Sequence, residues 1–288
     1  MTQQNSALGI WLMILTMFIF AVQDGISRHL ASEYNAWMVV MIRFWFFGAF
    51  AAVLMSRQPG GLKAALRPNR PWLQAFRGAL LALEIIVTVL SFVYLGLVES
   101  HAIFVCYPLL IVAFSGPVLG ESVGWRRWSA VAIGFVGVLI ILRPSGGVFS
   151  PYAIIPLVGA LMFALYGLLT RLAARTDSAM TAFFWTGLMG AITSTATGIW
   201  FWESMAGLDW LWMLILSCTG ITGHFLLIKC YDLAEASALQ PFAYFQLPFA
   251  SAVGVLTFGE TIRSNVVIGA VIIVGAGLFT FWRERRKG

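Results

Sequence analysis

The sequence predicts an all-α membrane protein: ten transmembrane helices arranged as two inverted five-helix repeats. Three observations predict it. Of 288 residues, 60% are hydrophobic and only 10% charged, with a mean hydropathy of +0.88. A soluble domain carries about 25% charged residues to wet its surface, so lipid must be the solvent for most of this chain. Ten apolar stretches approach the length of a bilayer span, and short signatures recur once at an offset of about 140 residues.

A spanning helix needs roughly 20 predominantly apolar residues. The first stretch, 8–27, follows a segment without Lys or Arg and has full-span length, so it reads as a helix rather than a cleaved signal. The second, 36–56, ends at Arg57. The longest connection follows, from Arg57 to Pro71, with Gly60-Gly61 and prolines along it. Next come 74–95, then 100–119, closed by Gly120-Glu121, and 126–142, closed by Arg143. The second set runs 151–171, 180–200, 209–230, 237–257 and 264–282, bounded by charges, Pro and Gly. The halves are placed at 1–143 and 144–288.

Ten spans put both termini on one side. With the N-terminus inside, the inner connections hold twelve Lys and Arg, and the outer ones hold three: Arg28, Arg143 and Arg263. That bias predicts cytoplasmic termini in an inner membrane. The same clustering accounts for the net charge of +6 without nucleic acid, and the basic tail at Arg283, Arg285, Arg286 and Lys287 suits anionic lipid headgroups. Cys106, Cys218 and Cys230 match no zinc or redox spacing. No histidine pair has metal-ligand spacing, so no metal or cofactor is expected. The oligomeric state stays open, with a monomer as the working expectation.

Phe20-Ala21 followed by Arg28 recurs as Phe163-Ala164 followed by Arg171. Pro108 after Tyr107 recurs as Pro248 after Leu247, and Gly120-Glu121 as Gly259-Glu260. Five spans per half is an odd number, so the second half enters the membrane from the opposite side. Inverted repeats of this kind build transporters, because one unit that packs in two ways can open a central site to either side. A fused scaffold without transport is the competing reading.

These features resemble the drug/metabolite transporter superfamily and its EamA-like members. The resemblance rests on the Gly-Glu turn and the proline of each half, Arg43, and the small-residue entries Ser100-His101-Ala102 and Ala236-Ser237-Ala238. It implies alternating access for small organic solutes, most closely as in bacterial amino-acid and metabolite exporters; a riboflavin- or nucleoside-type solute is the alternative. Ala102 to Pro108 spans six positions and Ala238 to Pro248 spans ten, with an extra Pro241, so the halves differ at this entry.

Ionisable groups inside spans point to a bundle interior or a cavity. Glu84, mid-span, is the sharpest candidate, for a substrate ammonium, a coupling proton, or a buried pair with Arg77 or Arg43. Arg43 could hold a carboxylate, but a lock between helices is the favoured reading. Asp24, beside Gln23, is expected to cap the interface or pair with Arg28. His224 lies in the small, polar stretch Gly220-Ile-Thr-Gly-His224, Lys229 is expected to snorkel, and His101 to sit at the interface. Pro108 and Pro248 should kink their helices, beside a cavity or for packing alone. Gly116 and Gly120 read as a packing pair. Among 12 Trp, 7 Tyr and 23 Phe, Tyr107, Tyr166, Trp185 and Tyr244 could wall a cavity, and Tyr244 with Gln246 marks the leading candidate lining segment. No HExxH, GxSxG or P-loop occurs, and Gly275-Ala-Gly277 lacks the third glycine of a dinucleotide fingerprint, so an enzyme is not expected. The expected partners are a small-molecule substrate and membrane lipid.

Overall fold

In a computed structural model, residues 6–58, 61–120, 124–142, 151–234 and 236–285 are described. Thirteen α-helices run in order: α1 (Ser6–Glu33), α2 (Ala36–Ser56), the short α3 (Gly61–Ala65), α4 (Pro71–Leu95), α5 (Leu97–Phe104), α6 (Tyr107–Leu119), α7 (Trp125–Leu142), α8 (Ile154–Ala173), α9 (Ala179–Gly198), α10 (Gly207–Leu233), α11 (Ala236–Ala243), α12 (Gln246–Phe258) and α13 (Ser264–Arg285). Helices α5 and α6 together form the fourth span, and α11 and α12 the ninth. Among the described residues seven stretches are each long and apolar enough to cross a bilayer. Helices α7, α9 and α13 complete the ten.

Local chemistry sets the helix limits. Asn35 and Ser178 cap α2 and α9, accepting from Met38 N and Thr181 N. Pro71 starts α4 where its missing N–H is no loss. Gly120 and Gly259 stop α6 and α12 in the left-handed region, with φ of +72° and +65°. Gly120 is therefore a helix stop with open space around it, where the sequence suggested a packing pair. Helix α9 is rich in Ser and Thr, yet its hydroxyls bond back to the helix: Thr186 to Ala182 O and Thr195 to Ala191 O. That satisfaction lets it cross lipid. The outer surface carries Phe50, Ile133, Val136, Ile192 and Leu256 exposed to the surroundings, while Arg43, Arg77, Glu84, His224 and Gln246 are buried. Polar groups inside and apolar groups outside suit a lipid solvent.

The packing is symmetric between halves. Helix α1 packs on α10 and α12, and its counterpart α8 packs on α4 and α6; α5 meets α12 as α11 meets α6; α2–α9 and α7–α13 pair across the two-fold. Both self-paired interfaces close on glycines. A Cβ added at Gly48 would stand 3.2 Å from Gly187 O, and one at Gly137 would stand 2.7 Å from Gly269 O.

Each proline follows a break in its span. The ladder is interrupted at Val105-Cys106 and at Tyr244-Phe245, where three-residue bonds such as Cys106 N to Ile103 O and Phe245 N to Phe242 O replace four-residue ones. Proline cannot donate to the carbonyl four residues earlier, so the interruption precedes it. Helix boundaries correspond at a constant spacing of 139 positions, from Leu97 and Ala236 to Gly120 and Gly259. At that register Pro108 matches Leu247 rather than Pro248, and Tyr107 matches Gln246. The unequal proline spacing expected from sequence is thus a one-residue difference in where each half places its proline.

Candidate substrate site

Polar side chains from both halves converge on a small cavity at mid-bundle. Helix α1 supplies Gln23 and Asp24, α2 supplies Arg43, and α4 supplies Glu84 and Thr88; α10 contributes His224 and α12 contributes Gln246. Phe20, Phe92, Phe104 and Phe163 form the apolar walls. The free space is about 30 Å³, enough for about one water, whereas sites for organic ligands measure about 300–1,000 Å³. The conformation described is therefore closed around its polar centre.

Hydrogen-bond inventory separates the charges in this site. His101 Nδ1 lies 3.0 Å from Leu97 O, an acceptor only, so Nδ1 carries a proton. Its Nε2 lies 3.1 Å from Asp24 Oδ2, and two lone pairs cannot face each other there. Asp24 and His101 therefore share a proton as one neutral unit, and Gln246 Nε2 donates to the same Oδ2 at 3.3 Å. Phe92 stacks on the His101 ring at 5.0 Å, fixing its plane.

Arg43 and Glu84 share the cavity but are not in direct contact as an ion pair. Arg43 Nη2 donates to Gln23 Oε1 at 3.1 Å and to His224 Nε2 at 3.2 Å, both neutral acceptors. Because Arg43 is a donor only, His224 Nε2 accepts and Nδ1 carries the proton, and among the described residues that buried Nδ1 has no partner. Glu84 Oε1 accepts from Thr88 at 2.6 Å. Among the described residues neither Arg43 nor Glu84 has an ion-pair partner, although they line one cavity and are 2% and 3% exposed. Gln246 Oε1 is likewise buried without a partner.

The remaining sequence candidates lie elsewhere. Arg77, expected as a partner of Glu84, instead bonds Gln74 Oε1 at 2.9 Å, Tyr166 Oη and Thr170 Oγ1 at 3.3 Å each, and Ala182 O. Gln74 passes the contact on to Asp177 at 3.0 Å, so this cluster ties α4 to α8 and α9. Tyr166 belongs to it. Tyr107 is enclosed by Phe104 and Phe163, with its hydroxyl against Met17 Sδ at 3.7 Å. Trp185 donates to Ala65 O at 2.9 Å, because α3 folds back under α9. Tyr244, within the break that precedes Gln246, faces an apolar groove against α13.

Two placements differ from expectation. Asp24 does not pair with Arg28: two buried turns separate it from solvent, and His101 is nearer. His101 is 2% exposed rather than interfacial, because α5 is a half-helix that starts below the bundle surface. Lys229 pairs with Asp232 at 3.5 Å. Thr88 escaped the sequence reading, which noted Gln23 and His101 without giving them a place in the site; Glu84 and Thr88 stand four apart on one helix face, which was the available signal.

Comparisons with known proteins agree with this architecture. The profile of the EamA-like transporter family matches residues 7–143 and again 150–282. The chain is 23% identical to the S-adenosylmethionine uptake transporter of Rickettsia prowazekii (strain Madrid E), over 97% of this chain and 94% of that protein. It is 28% identical to the riboflavin transporter of Rhizobium johnstonii, over 93% and 92% of the two chains, and 24% identical to that of Vibrio cholerae serotype O1, over 96% and 93%. A solved structure titled only as a protein superposes with a TM-score of 0.68 at 19% identity over 99% of both chains, which shows the shared fold. With a double family match spanning nearly the whole chain, this multi-pass membrane protein belongs to the EamA-like transporter family.

Proposed function

We propose that the chain moves a zwitterionic solute bearing a flat ring, of the S-adenosylmethionine type, by alternating access through the central site. One observation carries the reading: Arg43 and Glu84, of opposite charge, are buried in one cavity, yet among the described residues they make no direct ion pair and hydrogen-bond to neutral groups only. Buried charges held apart in this way leave direct partners to be supplied by a ligand of matching polarity. A ligand carboxylate on Arg43 and a ligand ammonium on Glu84 would balance both, while His224 Nδ1 and Gln246 Oε1 offer a spare donor and acceptor. The phenylalanine walls suit a stacked ring. The cavity must widen to admit such a solute, which is what an exchange between packings of the two halves provides.

None of the relatives above is named for amino-acid export, and the expectation of an exporter gives way to the class their names describe. The bias of Lys and Arg toward the α2–α4 connection and the tail supports cytoplasmic termini in a bacterial inner membrane. A riboflavin-type solute is the second reading, favoured by the aromatic walls and the relatives of that name, but it offers Arg43 and Glu84 no charged group to bond directly.

Purified protein in sealed liposomes, with radiolabelled S-adenosylmethionine, riboflavin and aromatic amino acids inside and outside, tests the proposal. Counterflow of the zwitterions and not of riboflavin is expected. Riboflavin counterflow alone would overturn the zwitterion assignment, and flux of none of them would overturn the transport reading of this site.

A further inference from the structure

Away from the site, the Glu260 carboxylate bridges the two halves. Oε1 accepts the Leu97 N–H at 2.8 Å and Oε2 the Val98 N–H at 2.7 Å, and Arg28 pairs with Oε1. Gly259 turns the chain after α12 so that Glu260 N bonds back to Gly254 O at 3.2 Å, which aims the side chain inward. The receiving surface is equally shaped. Gly96, with φ of +81°, separates α4 from α5, and a Cβ there would stand 2.7 Å from Glu260 Oε1. The first N–H groups of a helix lack internal acceptors and attract an anion. Arg28 also lies over the Phe258 ring at 4.1 Å. All three donors come from the first half, and the carboxylate comes from the second.

We propose that Glu260 is a latch that holds the bundle shut at the α1–α2 end, and that its release from Arg28 and the α5 N-terminus opens the site toward that end. The proposal rests on the alternating-access reading above. Opening this end separates α1 and α5 from α12, and the carboxylate then loses its three donors together. The latch is also coupled to the site. Arg28 follows Asp24 by one turn of α1, and His101 follows Val98 by about one turn of α5, so the helices that hold the latch also hold the Asp24–His101 unit. The matching Gly120 lies toward the other end of the bundle, and its neighbour Glu121 falls outside the described residues.

The test uses the full-length protein with Cys106→Ala, Cys218→Ala and Cys230→Ala as background and Val89→Cys as a reporter lining the cavity, in sealed vesicles of each orientation, treated with a membrane-impermeant maleimide. Glu260→Gln keeps the shape and removes the charge. Labelling from the α1–α2 side should rise roughly tenfold, as expected when charge-assisted bonds favouring one state are lost, and labelling from the other side should fall. Unchanged labelling, in a variant that elutes as the parent does, overturns the latch. Should Glu260→Gln fail to fold, Arg28→Gln provides the same comparison. The swap Arg28→Glu with Glu260→Arg adds a second criterion: a simple ion pair would be restored by it, whereas the latch stays open because a cation now meets the α5 N–H groups. Restored labelling at the parental rate refutes the proposal. No labelling from either side in the Val89→Cys parent itself would instead overturn the accessible-site reading on which the latch rests.

Discussion

Two buried arginines in this bundle have opposite economies. Arg77 is fully enclosed and its guanidinium is met by Gln74, Tyr166, Thr170 and a backbone carbonyl, with Asp177 behind Gln74. Arg43 is nearly as buried, but among the described residues its guanidinium bonds only Gln23 and His224. The first arrangement is complete without a ligand and the second is not. Arg77→Leu should therefore destabilise the fold by about 3 kcal/mol, since several polar partners are left buried and unpaired; the melting midpoint in detergent measures it. Arg43→Gln should leave that midpoint close to the parent and raise the KM for a carboxylate-bearing solute by roughly tenfold or more, the loss of a charge-assisted bond. Glu84→Gln should do the same for solutes with an ammonium and spare a neutral one. If Arg43→Gln unfolds the protein and Arg77→Leu only weakens uptake, the two roles are reversed. The sequence marked all three residues as costly, but not which was satisfied, because satisfaction depends on acceptors from other helices. Gln74 and Thr170 carry no motif.

At the scale of elements, backbone contact decides what a residue may be. Helices α7 and α13 meet where a Cβ on Gly269 would stand 2.5 Å from Gly137 O, and a backbone atom cannot rotate away. Gly269→Ala should therefore cost about 1–3 kcal/mol through overpacking, read as a lowered melting midpoint. Gly275, on the same helix, has nothing within 4 Å, so Gly275→Ala should leave the midpoint unchanged or slightly raised, as expected where helix propensity is the only change. Equal effects at both sites would show that the α7–α13 contact does not stabilise the fold. Apolar length gave the element count and Gly gave the stops at Gly120 and Gly259. The breaks at Val105-Cys106 and Tyr244-Phe245 were only half legible. Proline announces a lost hydrogen bond, but the gap opens at the carbonyl before it, and two prolines one position out of register looked equivalent in the sequence. That misregister also hid the correspondence of Tyr107 with Gln246, and with it the reason one faces packing and the other faces the site.

For the whole molecule, the inversion of the halves was legible because an odd number of spans per half leaves no other arrangement, and the exchange-symmetric packing of α1, α8, α4 and α10 repeats it in three dimensions. The site's closure was not legible, since it is a property of one packing of the halves rather than of any segment. Which side of the membrane each end faces depends on charge alone. The connections at the end opposite the α1–α2 turn hold twelve Lys and Arg against three, and during insertion basic residues in short connections are retained on the cytoplasmic side. A fluorescent protein fused after Gly288 should therefore mature and fluoresce in bacterial cells, while alkaline phosphatase fused at the same place should stay inactive. The same phosphatase inserted between Glu33 and Asn35 should be active, because that turn faces the other way. The reverse pattern would invert the assignment of the Glu260 latch to the outer side, yet leave its role intact, since the latch is defined by the end it closes and not by the compartment beyond.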